Sequence, residues 1–258
     1  MTTTFVAVVC FLVGLIAGSF VNVVALRVPA GESITHPRSR CPHCGHQIRA
    51  RDNVPVVSWI VLKGRCRDCG QRISARYPIV ELSTALLFAA TPFVVGVSWS
   101  LFAYLWFVGL TVALTVTDID HKLIPNRIIW PGGWIGLGLL AVGGVLDGDL
   151  WAFGRGVGGA FIYATLFLII YVIAPRGGFG QGDIRLGFVL GLFTAYQSWG
   201  VLVVAIVGGI FLGGITSVLI LLTRIRGRKD HIPFGPYMVA GAYLALAVGA
   251  EIAEWYLG

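Results

Sequence analysis

The chain has 258 residues, of which 57% are hydrophobic and only 12% charged, about half the charged fraction of a soluble globular domain. A mean hydropathy of +0.84, with apolar residues grouped into runs near the ~20 residues that cross a bilayer, excludes a soluble fold for most of the chain. The net charge of +7 does not point to nucleic acid, because the basic residues lie in short stretches between apolar runs, as in cytoplasmic loops of membrane proteins.

Eight apolar segments follow in chain order, at residues 5–26, 79–97, 101–117, 128–146, 152–174, 186–197, 199–222 and 234–257. The first begins after Met1-Thr2-Thr3-Thr4, which has no basic residue. It is also longer than the apolar core of a cleavable signal, so it reads as a retained anchor. The sixth is short for a full span and is expected to be tilted or buried among its neighbours. With the N-terminus outside, the inside loops are 27–78, 118–127, 175–185 and 223–233, and they carry 18 of the 19 Lys and Arg residues. The opposite orientation would place nearly all of them outside, so the positive-inside rule selects this topology. The expected fold is therefore an all-α polytopic membrane protein of about eight transmembrane helices, with one small cytoplasmic loop domain.

That loop domain, residues 27–78, holds Cys41-Pro42-His43-Cys44 and Cys66-Arg67-Asp68-Cys69, each followed by Gly, at Gly45 and Gly70. Two residues between cysteines let both thiolates reach one ion from a tight turn, and the following Gly tolerates the positive φ such a turn demands. Four thiolates favour tetrahedral Zn²⁺ in a closed structural site. A piece this small needs such a staple, and a stable disulfide does not suit a cytoplasmic loop. His43 and His46 read as bystanders, and Cys10 as a packing residue of the first helix.

Carboxylates beside apolar runs are costly and therefore functional candidates. Asp118 lies in Thr117-Asp118-Ile119-Asp120-His121-Lys122-Leu123-Ile124-Pro125-Asn126, and Asp183 in Gly178-Phe179-Gly180-Gln181-Gly182-Asp183-Ile184-Arg185. Both fall at cytoplasmic ends of apolar segments, hence at one membrane depth. Two carboxyls sharing one proton can hydrolyse a peptide bond, one activating water and the other donating to the scissile carbonyl. The other reading of such residues is helix capping. Asp118 and Asp120 on one helix would point about 200° apart, so one of them at most faces Asp183. Spacing alone does not choose between them.

With these motifs the chain resembles the bifunctional type IV prepilin peptidase family. Gly18-Ser19-Phe20-Val21-Asn22 with Arg27 and Pro29, Asp52-Asn53-Val54-Pro55, Ser58-Trp59, Gly64-Arg65-Cys66, Ser74-Ala75-Arg76-Tyr77-Pro78 with Glu81, and Pro233-Phe234-Gly235-Pro236 carry the likeness. The resemblance implies that the catalytic pair is Asp118, seven residues before Pro125, and Asp183, after Gly180 and Gly182. Asn126 and Arg185 stand where the family more often has Asp and Lys.

It further implies a domain order of a first transmembrane helix at 1–26, a zinc-binding and methyltransferase part at 27–78, and a membrane aspartic peptidase at 79–258. The implied substrates are prepilins and related pseudopilins, cut at the cytoplasmic face of the bacterial inner membrane and then N-methylated from S-adenosylmethionine. The partners so implied are pilin substrates and the lipid bilayer, without nucleic acid. Glu32, Asp52 and Asp68 read as ordinary solvated charge, with contact to a basic leader as the other reading, in an otherwise basic loop. A presenilin-like protease shares the Gly-x-Gly-Asp motif, and a zinc-bearing membrane scaffold or transporter would also use paired carboxylates.

Overall fold

The computed structural model describes residues 2–173, 180–223 and 233–257. Arg176, Arg224, Arg226, Arg228 and Lys229, which enter the charge argument, lie outside the described residues. The described residues form helices and loops with no strand, apart from two isolated antiparallel bridges, Arg40 with Gln47 and Arg65 with Arg72. The long helices are α1 (Thr3–Arg27), α3 (Arg76–Val95), α4 (Leu101–His121), α5 (Asn126–Leu146), α6 (Leu150–Ile173), α7 (Gln181–Gln197), α8 (Trp199–Thr223) and α9 (Gly235–Leu257), with the short α2 (Val57–Val61) in the loop domain. Seven of them are long and apolar enough to cross a membrane, and the chain is a multi-pass membrane protein. The exception is α7, whose 17 residues span about 25 Å at 1.5 Å per residue, short of a ~30 Å hydrocarbon core.

The chain divides into two compact units, Met1–Phe93 and Val94–Gly258. In the first, α1 and α3 pack antiparallel along a seam of small residues. A Cβ on Gly14 would stand 2.7 Å from Ala85 Cα, and one on Gly18 2.7 Å from Glu81 Cα. One turn on, Asn22 reaches the backbone of Tyr77. Small residues let apolar helices approach closely where lipid offers no hydrophobic driving force. Arg27, in the last turn of α1, donates to the carbonyls of Ser33 and Pro37 and so folds the following loop back onto the helix end.

In the second unit α7 lies among α5, α6, α8 and α9, and eleven of its 17 residues are buried. That placement accounts for the short apolar segment: a helix wrapped by protein need not match the bilayer thickness. Phe193 of α7 stacks on Phe107 of α4 at 4.5 Å between centroids, and the Tyr104 hydroxyl donates to Phe193 O at 2.8 Å. Gly156 and Gly159 of α6 lie directly against the Leu192 and Gly191 carbonyls of α7. The Gly-x-Gly-x-x-Gly run at 154–159 is thus a helix-packing surface. Arg155 donates to the carbonyls of Ala195, Tyr196 and Gln197, which satisfies the otherwise orphaned C-terminus of α7 with a cation on the negative end of its dipole.

Candidate active site and metal centre

Asp118 sits in the last turn of α4, where its own carbonyl accepts the N–H of Lys122 at 2.8 Å. Lys122 takes φ +53 and closes the helix with a left-handed residue. The chain then runs through Ile124 and Pro125 into α5. Asp183 occupies the third position of α7 and accepts the backbone N–H of Gly180, the N-cap residue, at 2.9 Å through Oδ2. This is the acidic half of a capping box. The capping role foreseen for such aspartates is real for Asp183, and it uses one of the two carboxyl oxygens.

Both carboxyls are buried, Asp118 at 5% and Asp183 at 8% exposure, and close enough for their charges to interact. Asp118 Oδ2 accepts the N–H of Gly235, the first residue of α9, at 3.1 Å. A Cβ on Gly235 would fall 2.6 Å from that oxygen and 3.4 Å from Leu186, one turn past Asp183. Each aspartate therefore binds a backbone N–H at a helix start through Oδ2. Among the described residues, each leaves Oδ1 without a hydrogen bond. Asp120, by contrast, is exposed, as the 200° separation on one helix requires. Gly235 carries no functional signal in the sequence, since nothing local to Pro233-Phe234-Gly235-Pro236 records which group its missing side chain must admit.

The supporting motif residues fasten the two helix ends to each other. A Cβ on Gly182 would stand 3.0 Å from Ile124 Cβ, so the loop after α4 packs on the first turn of α7. Pro125 is the N-cap residue of α5 in extended conformation. Arg185 donates to the side-chain oxygens of Asn126 and Gln181. The two positions that depart from the family pattern, 126 and 185, are thus partners.

In the first unit the sulfurs of Cys41, Cys44, Cys66 and Cys69 all lie within 4.8 Å of one another. The Cys41 and Cys69 sulfurs are 3.8 Å apart, the edge of a tetrahedron with Zn–S bonds of ~2.3 Å. The backbone N–H groups of Cys44 and His43 pull the Cys41 thiol down to about 6. For Cys69 the Gln71 N–H favours the thiolate, but burial and the neighbouring sulfurs outweigh it and push the thiol up to about 12. Four sulfurs this close cannot all ionise unaided, and a dication removes that conflict. The donor set fits Zn²⁺, and neither His43 nor His46 belongs to it.

The two knuckles are one motif written twice. Cys41 N–H bonds His46 O and Gly45 N–H bonds Cys41 O; 25 residues on, Cys66 N–H bonds Gln71 O and Gly70 N–H bonds Cys66 O. Gly45 and Gly70 take φ +72 and +69. The repeat, Arg-Cys-x-x-Cys-Gly-x-x-Ile, is legible at 40–48 and 65–73 but too short to stand out in a search for repeats. Arg67 clasps Asp52 with three hydrogen bonds, and its guanidinium holds that carboxyl below the usual range. Arg49 pairs with Asp68 at 2.9 Å. Two of the three acids weighed as leader contacts are therefore engaged with arginines of the domain itself.

Comparison with known proteins agrees with this architecture. Residues 12–95 match the bacterial peptidase A24 N-terminal domain and residues 104–218 the type IV leader peptidase family. A prepilin leader peptidase/N-methyltransferase of Bacillus subtilis is 36% identical, covering 96% of this chain and 97% of its own length. Proteins of the same name from Aeromonas hydrophila and Pseudomonas aeruginosa are 35% and 33% identical, covering 96% and 95% of this chain and 92% and 91% of their own. No solved structure gives a significant match. On this sequence identity over nearly its whole length, the chain belongs to the type IV leader peptidase family.

Proposed function

We propose that the chain cleaves the leader from type IV prepilins and related pseudopilins at the cytoplasmic membrane face, with Asp118 and Asp183 as the catalytic pair, and then methylates the new N-terminus. The observation that carries the peptidase reading is the pair itself: two buried carboxyls within the family-matched region, each held by a backbone N–H and each with Oδ1 open among the described residues. Asp118 and Asp183 share one proton. The charged member draws a proton from water as the water attacks the scissile carbonyl. The neutral member donates to the carbonyl oxygen as charge develops there. The N–H groups of Gly235 and Gly180 fix both carboxyls, so orientation is set before substrate arrives. The cytoplasmic placement rests on the distribution of basic residues between the apolar segments.

The names of the relatives support the methyltransferase half. S-adenosylmethionine would supply an electrophilic methyl group. The first unit contains a cavity of about 300 Å³, lined by Phe20 and Val23 on its apolar side and by Gln47, Asn53 and two arginines, Arg27 and Arg38, on its polar side. That volume is at the small end of ligand pockets, and the mixed lining suits a nucleoside-bearing donor. Zn²⁺ on the four cysteines would hold the surrounding loop in shape.

The test is cleavage of a co-expressed prepilin by the wild type and by Asp118→Asn, Asp183→Asn and Asp120→Asn at matched membrane levels. Loss in the first two with retention in the third is expected. Full cleavage by Asp118→Asn or Asp183→Asn would sink the two-aspartate mechanism.

A further inference from the structure

Three unusual features of the first unit meet on one turn of α3, and none belongs to the aspartate pair. Glu81 is a carboxylate only 8% exposed, within an apolar helix. Its Oε2 accepts the N–H of Val56 at 2.7 Å. Val56 has φ +61 and ψ −50, where a β-branched residue is an outlier, and such strain concentrates at functional sites. Asn22, 5% exposed, donates through Nδ2 to the carbonyls of Gly18 and Tyr77 at 3.3 and 3.2 Å. Tyr77 is one turn before Glu81. Because both partners are carbonyls, the orientation of the amide is fixed. Its Oδ1 is left buried with no hydrogen-bond partner among the described residues.

Among the described residues this turn therefore holds more acceptors than donors, with Asn22 Oδ1 the one left wholly unmatched. A carboxylate has about four lone-pair sites, and one N–H fills one of them. A buried acceptor without a donor needs an explanation, and a carboxylate at membrane depth is by default a functional group. The group that would complete the turn is cationic, compact and rich in N–H donors, which describes an ammonium.

We infer that Glu81 and Asn22 form the site that holds a substrate α-ammonium group, the N-terminus exposed by leader cleavage, for methyl transfer. The inference rests on the methyltransferase half of the reading above. Segment 53–56 joins the two places the reaction needs: Asn53 lines the cavity, and Val56 is bound to Glu81. The ammonium gives one proton to the Glu81 carboxylate, which frees the nitrogen lone pair. The lone pair attacks the methyl carbon of the sulfonium donor. The new N–C bond forms as the C–S bond breaks, and its electron pair stays on sulfur as a neutral thioether. The product leaves as a methylammonium, and Glu81 returns its proton to water. Asn22 Oδ1 accepts from a second N–H throughout and keeps the lone pair aimed.

Glu81→Gln separates this role from a structural one. Its amide oxygen still accepts from Val56, but it carries no charge and takes no proton. The full chain in lipid nanodiscs is probed with a peptide of the mature pilin N-terminus, either free or N-acetylated, and with radiolabelled S-adenosylmethionine. The wild type is expected to bind the free peptide at least ten-fold more tightly than the acetylated one. Glu81→Gln is expected to lose that preference and to slow methyl transfer at least 100-fold, with prepilin cleavage and zinc content unchanged. Should Glu81→Gln fail to insert, Asn22→Leu takes its place with the same expected loss of preference. Methyl transfer at the wild-type rate by Glu81→Gln, or a wild type indifferent to acetylation, overturns the inference. A wild type that prefers the free amine yet transfers no methyl group removes the methyltransferase reading and leaves the ammonium site standing.

Discussion

Gly235 and Asp118 are joined by a single hydrogen bond, from the first backbone N–H of α9 to the Oδ2 of a carboxyl in the last turn of α4. The bond needs a residue without a side chain, since a Cβ would stand 2.6 Å from the oxygen it serves. Gly235→Ala is therefore expected to displace Asp118 while leaving α9 intact. Hydrogen bonds to charged groups contribute about 1.5–3 kcal/mol, so prepilin cleavage is expected to fall by roughly 10- to 100-fold. Membrane level and helix content, measured alongside cleavage, should not change.

Arg185 and Asn126 tie the start of α7 to the start of α5, beside the contact of Gly182 with Ile124. Arg185→Ala is expected to loosen the pair of helix ends and cut cleavage several-fold, with little effect on the amount of protein in the membrane. Asn126→Asp turns the bond into an ion pair and should retain activity. If Arg185→Ala cleaves at the wild-type rate, the side chain is only an interfacial anchor.

One zinc per chain is expected by metal analysis of the purified protein. Substituting Ser for any of Cys41, Cys44, Cys66 or Cys69 should lower it, because the four sulfurs form one closed set. Cys10→Ser should not, since Cys10 is buried in α1. Chelation should make the loop domain sensitive to protease, as small metal-stapled domains unfold without their ion.

Asp147 closes the turn after α5. Burial opposes its charge, but the N–H groups of Trp99 and Ser100, with the Ser100 and Ser98 hydroxyls, more than offset it, so its carboxyl titrates below the usual range. A depressed folded pKa contributes stability above the unfolded pKa of ~3.9, and that contribution is lost as pH falls through the folded value. Asp147→Asn is expected to lower the thermal midpoint at neutral pH, with the deficit narrowing as pH falls below the unfolded pKa of ~3.9. A deficit that stays the same across that range would mean the charge is irrelevant.

Most of the bundle was legible as hydropathy. The segment at 128–146 is the helix Asn126–Leu146, and that at 199–222 the helix Trp199–Thr223. What hydropathy missed are the polar turns at the functional ends. Residues 118–121 extend α4, and 181–185 open α7, although neither stretch is apolar. Hydropathy alone therefore leaves both aspartates outside the apolar segments, whereas the structure has them within the last turn of α4 and the first turn of α7. The choice of Asp118 over Asp120 came from resemblance, and its burial now gives a physical reason. Glu81 and Gly235 were visible only as letters in a motif. Their significance depends on what lies across from them, and no local pattern records that.

Placing the reacting groups on the final turn of one helix and the first turn of another has a thermal consequence. Helix ends fray at free energies far below that of global unfolding. On heating, Asp118 and Asp183 should part company while the buried middle of α7 still holds its neighbours. Inactivation would then come at a lower temperature than the loss of the helical signal, and it would reverse on cooling.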